Sequence, residues 1–442
     1  MTSRYTSAAR AARGVLLLAA LAGCSKDDLL RPDTPDVITP ENLTTPEGQA
    51  ALYTGAISDL VVAVTGGTGL AIFAGMFTDE LMHASTPPAV REWDLRGVLS
   101  TNSVASGGVN PATGAWGGPF IALQRARTAL EAAGRLLPAN DIRTSEVNAL
   151  AGLAYILFGE NFCSGTPISE RDPLELGPPF TTAQLFTRAL ERLTAAAASA
   201  GTDARMTNLV AVLRGRTLLN QGQFAQAATA VTAVPTTFSY DFIHAPPPAR
   251  QTNQIQLQTA SDIYSVPDRE GTNGLPFASA ADPRIPLTPT GNSRNDGVTP
   301  MVVQKKYPTI DAPVPMATGI EARLIQAEAA LQANDAITWL ARLNEARATN
   351  PALTTLTDPG TAAGRVDLMF RERAFWLYLT AHRLGDLRRL VRQYARAKES
   401  VYPTGPYHKQ GLTRGTQATL IVPQPEENNS NYKPSDCTVD TP

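Results

Sequence analysis

Three cysteines, four histidines and a handful of close-set carboxylates carry most of the chemistry available to this 442-residue sequence. Cys24 closes the tetrad Leu21-Ala22-Gly23-Cys24, which matches the bacterial lipobox, where the cysteine sulfur is acylated and cleavage leaves it as the first residue. Asp79-Glu80, Glu92 and Asp94 lie close in sequence, and two carboxylates about 5 to 9.5 Å apart across a groove can hydrolyse a glycosidic bond. His83, His244, His382 and His408 have no cysteine or serine neighbour in an activating pattern. No metal site and no cofactor is expected, because the cysteines and scattered histidines lack zinc spacing. There is no Gly-x-Ser-x-Gly elbow, no His-Glu-x-x-His helix and no Gly-Lys-Ser/Thr phosphate loop. "TGGTGLAIFAG", residues 65–75, lacks the lysine of such a loop and reads as a bend between two helices.

The first residues decide where Cys24 goes. Arg4, Arg10 and Arg13 precede the short apolar run 15–22, about half of the roughly 20 residues that span a bilayer. A basic start, a short apolar stretch and small residues at its end predict a secretory leader over 1–23. Acylation of Cys24 then anchors the chain to a membrane by several acyl chains, a stable tether without a spanning helix. No later stretch reads as a second span. Loss of the three arginines moves the net charge from −2 to −5, which argues against nucleic acid as a partner, since that binding rests on neutralising phosphates with Lys and Arg. "RLGDLRRLVRQYARAK" reads as the solvated end of one helix. Cys163 and Cys437 remain as an even pair in an oxidising compartment, which favours a disulfide over two separate thiols.

The elements that position these residues are predicted to be helical. Residues 24–44 are rich in Pro and Asp and read as the membrane tether. Amphipathic, Ala/Leu-rich stretches at 46–64, 116–136, 143–162 and 181–200 predict helices. In 207–234, Gly215, Gly222, Phe224, Ala227 and Val231 fall at the spacing of a tetratricopeptide unit. A second helical hairpin is predicted over 320–348, turning at Ala333-Asn334-Asp335. Residues 235–316, 84–115 and 396–442 are too rich in Pro, Gly and Asn for long helices. The organisation that follows is a scaffold over 45–234, an irregular segment over 235–316, a hairpin and long helix over 317–395, and a tail over 396–442, all one domain.

"ERAFWLYLTAHRLGDLRRL", Glu372 to Leu390, resembles the late helix of the SusD/RagB family. Glu372, Arg373, His382, Arg383, Asp386, Leu387, Arg388 and Arg389 stand at its spacing, while Trp376 and Thr380 replace its glutamates and Leu384-Gly385 its aromatic pair, which predicts a weakened buried ion network. "DPR" at 282–284, "KKY" at 305–307, "LIQAEAALQANDAITWLARLNEARA", "LIVPQPEENNSN" and "WGGPFIALQRARTAL" resemble further family segments in the family's order. "CSKDD" is similar to the Lys-acidic-acidic signal that sends such lipoproteins to the outer face of the outer membrane. The resemblance implies an all-α fold of tetratricopeptide-like hairpins in a right-handed scaffold with large irregular insertions. It also implies a non-catalytic lid on a TonB-dependent, SusC-like β-barrel transporter, capturing an oligosaccharide or other small nutrient.

Sugar binding needs aromatic faces and planar polar groups in a concave site. The candidates are aromatics of the irregular blocks: Trp93 in "REWDLR", with Arg91 and Asp94 beside it, then Tyr240 and Tyr264, each of which could instead plug a gap between loop and helix. Trp116, Trp339 and Trp376 lie in predicted helices and are assigned to the core, and His382 to a packed or capping role. The alternatives are a secreted helical glycoside hydrolase using the paired carboxylates, or a tetratricopeptide-type scaffold for a protein partner.

Overall fold

The computed structural model describes residues 43–107, 109–110, 115–171 and 174–442. The leader, Cys24 and nearly all of the tether lie outside the described residues. The chain divides into a unit ending at Gln49 and a body running from Ala50 to Pro442. In the first unit a turn leads into a helix, with Gly48 N donating to Thr45 Oγ1 at 3.1 Å.

The first run of helices comprises α1 (Pro46–Thr65), α2 (Leu70–Phe77), α3 (Pro88–Asp94), α4 (Ser103–Ser106), α5 (Pro119–Leu136), α6 (Ile142–Asn161), α7 (Thr182–Ala200), α8 (Ala204–Asn220) and α9 (Phe224–Ala230). The middle block holds α10 (Gln254–Ala260), and the second run is α11 (Gly319–Gln332), α12 (Ala336–Arg347), α13 (Ala362–Trp376), α14 (Arg383–Tyr394) and α15 (Lys398–Val401). Among the described residues the strands pair only two at a time and antiparallel, as in Ser239–Phe242 with Val314–Thr318 and Leu287–Asn292 with Pro300–Gln304. The fold is therefore all-α with irregular insertions, as expected.

Capping residues set the helix starts. Asp141, Asp203, Thr318 and Asp335 each accept a backbone N–H in the first turn, and Thr181 with Gln184 forms a reciprocal capping box. α6 is buried at every residue from Thr144 to Asn161 and packs against α5, α7, α8 and α14, so it is the central rod of the core. The tetratricopeptide spacing is realised in α8 and α9. Gly222 turns the chain at φ +74°, and a Cβ on Gly215 would come within 2.5 Å of Val231 Cγ1. Asn334 closes α11 at φ +58°, the left-handed conformation its position calls for.

Cys163 and Cys437 are bonded, with Cα atoms 5.3 Å apart across 274 residues of chain. In the chain-entropy account, closing so long a loop stabilises by roughly 5 kcal/mol. Leu420 N donates to Asn161 O at 2.8 Å and Cys163 N to Leu420 O at 3.2 Å, so the tail is also held along its backbone.

Several expectations are corrected. Only residues 66–69 bend in the glycine-rich stretch; α2 follows and is buried throughout. Pro46–Phe77 is apolar enough to pass for a membrane span by composition, contrary to the expectation of none, and most of that apolar window is buried within the fold. The late helix is two helices, broken at 377–382, where Leu379 and Ala381 take φ of +56° and +60°. The start of α14 is not solvated: Arg383, Asp386, Arg388 and Arg389 are all buried. Nor is the ion network weak. Asp386 accepts from Arg373 and Arg389 at 2.8 Å each, Arg389 also pairs with Glu328, and Glu372 joins Arg284 at 2.7 Å and Arg347 at 2.9 Å. Trp376 and Thr380 leave this network intact because Arg284, Arg347 and Glu328 reach it from other elements.

Candidate functional site

A cavity of about 540 Å³ opens where the middle block meets the second helical run. Its walls are the strands Ser239–Phe242 and Val314–Thr318, the turn 283–286, Lys305-Lys306, the start of α11 and the break after α13. That break is built by Glu80. Its Oε1 accepts Leu379 N at 2.9 Å and its carbonyl accepts the Tyr378 hydroxyl at 2.7 Å, which peels the chain off the helical path. Lys306 Nζ takes the freed carbonyls of Trp376 and Tyr378 at 3.0 Å each. Trp376, the last residue of α13, is thereby left half-buried on the cavity wall with the Arg284 guanidinium 5.2 Å from its ring centre. Pro283, Pro286, Pro315, Met316 and Leu377 make the rest of the wall apolar, with Thr236, Ser239 and Asn350 as neutral polar groups.

Charge on the wall is uneven. Burial pushes Lys306 down to about 7, with Glu80 opposing and Arg284 adding to the shift. Burial likewise pushes Glu80 up to about 8, although the Leu379 amide and Arg383 pull the other way. Glu321 stays ionised: burial raises it, but His382 and the Arg216 and Arg373 charges hold it below its ordinary value. An ionised carboxylate only accepts, so His382 Nε2, 3.2 Å from Glu321 Oε1, carries the proton. His382 Nδ1 lies 2.8 Å from Thr380 Oγ1. The order hydroxyl, imidazole, carboxylate is that of an activated nucleophile. Here, however, the Thr380 hydroxyl donates to the Leu377 carbonyl and is buried. His382 stands at the N-cap of α14, so it is the packed, helix-starting group expected.

Neither a protein-family profile nor a curated protein sequence matches the chain. Solved structures do. A SusD superfamily protein from Bacteroides thetaiotaomicron aligns over 88% of this chain and 98% of its own at 13% identity, with a TM-score of 0.64. One from Parabacteroides distasonis covers 90% and 99% at 13% identity and a TM-score of 0.63. A SusD-like carbohydrate binding protein from Bacteroides vulgatus covers 88% and 98% at 13% identity and a TM-score of 0.57. This chain has the SusD fold.

Within the SusD fold of this chain, the residues singled out from sequence do not gather at the cavity. Trp93 is 1% exposed, edge-on to Phe73 with ring centres 4.8 Å apart and Nε1 donating to Asn102 Oδ1 at 3.4 Å. Asp94 is buried and accepts His83 N at 2.7 Å and the Tyr407 hydroxyl at 2.8 Å, while Arg91 donates to Gln410. Tyr240 is 2% exposed, its hydroxyl on Glu146 Oε1 at 2.6 Å, and Tyr264 is 3% exposed. Of the two readings open for each of these rings, ligand contact or plugging a gap between loop and helix, the burial of all three favours the second: the insertions fold back onto the core and use their aromatics to seal it. Trp339 is core as expected, Trp116's side chain lies outside the described residues, and Trp376 packs against the Trp339 core cluster as expected while its remaining surface lines the cavity.

The carboxylates of the hydrolase alternative also find internal partners. Asp79 takes Arg383 through both oxygens at 2.7 and 2.8 Å, Glu92 accepts Asn102 Nδ2 at 2.6 Å, and Asp94 faces Arg414. Ligand atoms of Asp94, Glu270 and His408 lie within 4.8 Å of one another, but the cation there is Arg414, which pairs with both carboxylates. The cavity was within reach of the sequence: "DPR" and "KKY" each place a cation on its wall, Arg284 and Lys306.

Proposed function

We propose that this protein captures a saccharide nutrient at the Trp376 cavity and passes it to a TonB-dependent outer-membrane barrel for import. In this reading Cys24 carries the lipid anchor, residues 24–44 are the tether, and the body sits at the outer face of the outer membrane as one SusD-like domain. The observation that carries the reading is a half-buried tryptophan on the apolar wall of an open cavity, in a chain with the SusD fold. A tryptophan face covers the C–H face of a sugar ring, while hydroxyl and amide groups such as Thr236, Ser239 and Asn350 meet its hydroxyls. The irregular block 235–316 supplies much of this wall, which fits its assignment as the ligand-facing segment. That one solved protein of this fold is described as carbohydrate binding adds support. No chemistry is assigned to the protein, since the carboxylates nearest in sequence are engaged by Arg383, Asn102 and Arg414.

The test is heat stabilisation by a panel of oligosaccharides, read on the native chain and on Trp376→Ala. A ligand present at 100 times its Kd raises stability by about 2.7 kcal/mol. Stabilisation that vanishes in Trp376→Ala supports the cavity; stabilisation that survives the substitution moves binding elsewhere. Release of new reducing ends above background would instead favour the hydrolase, and co-purification with a β-barrel transporter tests the delivery step.

A further inference from the structure

The cavity wall holds three cations, and they are not equivalent. Arg284 is neutralised by Asp282 and Glu372, both at 2.7 Å. Lys306 donates to two backbone carbonyls, and among the described residues no carboxylate lies within ion-pair distance of it. Lys305, next in the chain and exposed, has no ion pair among them either. A buried ammonium facing only carbonyl dipoles is incompletely compensated. Arg388 is the closed counterpart: it also meets carbonyls, those of Gly159 and Phe162, but it is fully packed and caps the end of α6. Lys306 differs in facing an open cavity, beside a tryptophan.

We propose that the cavity selects an acidic saccharide, whose carboxylate is received by Lys306 and Lys305 while its ring lies on Trp376. This rests on the saccharide-capture reading above and names the ligand class. The carboxylate supplies the counter-charge that the fold leaves out, and a charge-assisted hydrogen bond to the ammonium is stronger than a neutral one. Glu321, the carboxylate on the wall, is already engaged by the His382 Nε2–H. The depressed Lys306 gives a second readout. Glu80 pulls it up and Arg284 pushes it down, and the Tyr307 and Tyr378 rings lie 5.7 and 5.9 Å from its Nζ. Because the ligand needs the protonated amine, affinity for the acid should fall as pH rises from about 6 to about 9, through the Lys306 titration.

The experiment titrates the protein with digalacturonic acid and cellobiouronic acid, each against its methyl ester, which keeps the shape and removes the charge. At least one acid is expected to bind about tenfold or more tightly than its ester, the value of one good hydrogen bond to a charged group. Lys306→Met should erase that preference, and because Lys306 also holds the carbonyls of Trp376 and Tyr378, the loss is read as the acid-to-ester ratio rather than as either affinity alone. Lys305→Ala, on an exposed side chain that leaves folding alone, should reduce it by a smaller factor. If no acid is preferred over its ester, or the preference survives both substitutions, the inference is overturned. Trp376-dependent binding of neutral sugars without that preference overturns this inference alone, whereas no binding of any saccharide removes the capture reading with it.

Discussion

The middle and the end of α13 bury charge in opposite ways. In the middle, Glu372 and Arg373 enter a network in which each carboxylate has at least two cations: Arg284 and Arg347 on Glu372, Arg373 and Arg389 on Asp386. At the end of the same helix, Lys306 has carbonyls and ring faces but no ion pair, and Trp376 lines a cavity. The first arrangement is complete without any ligand and fixes how α11, α13 and α14 sit together. The second is incomplete, and a bound group can finish it. Residues three or four apart on one helix can thus serve architecture or binding, depending only on whether their polar partners are already present.

The contrast is sharpest in the network. Arg389→Ala leaves Glu328 and Asp386 short of a buried partner and should cost about 4 kcal/mol, read by urea unfolding. Acid should have a related effect. Burial pushes Asp386 up, but Arg373 and Arg389 hold its carboxyl far below the usual range. A depressed folded value stabilises fully above the unfolded pKa and is lost as pH falls below about 4. Asp386→Asn should flatten that acid-side decline; an unchanged profile would break the assignment.

Trp93→Ala empties a core position and should cost about 3 to 4 kcal/mol, with ligand-induced stabilisation retained once the loss of stability is allowed for. Reduction of Cys163–Cys437 should cost about 3 kcal/mol, less than the full loop-closure value because the backbone bonds around Leu420 still hold the tail. Gly215→Ala forces a methyl against Val231 and should cost about 2 kcal/mol, read by thermal melting. Trp376→Ala should cost about 2 kcal/mol, less than Trp93→Ala, because the ring is only partly buried. It should nonetheless abolish saccharide-induced stabilisation. A stability loss as large as that of Trp93→Ala would make Trp376 wholly core and remove the distinction between the middle and the end of α13.

Much of the scaffold was legible. Helical periodicity located α1 and α5 to α9, and the Gly215, Gly222 and Asn334 positions were read correctly because a close helix approach and a left-handed turn leave few alternatives. The cysteine pairing followed from parity and compartment, and the bond joins the expected residues. The candidate site was less legible. Trp93, Tyr240 and Tyr264 lie in irregular segments, where the sequence leaves ligand contact and gap-plugging both open, because local irregularity says nothing of burial when a loop packs across the core. Trp376 packs inward as its helical neighbours imply, but no local signal marks the break after it that also opens it to the cavity.

By itself, then, the order of residues determined the helices, their caps and close contacts, the oxidised pair and the resemblance that named the fold, since each rests on spacing within one or two neighbouring elements. The tertiary structure alone decided which charges are matched, where α13 ends and which aromatic meets a cavity. Those outcomes depend on partners far along the chain, Glu80 against Leu379 and Lys306 against Trp376. Such pairs come together only when the whole core has closed, and no periodicity or motif carries their distance.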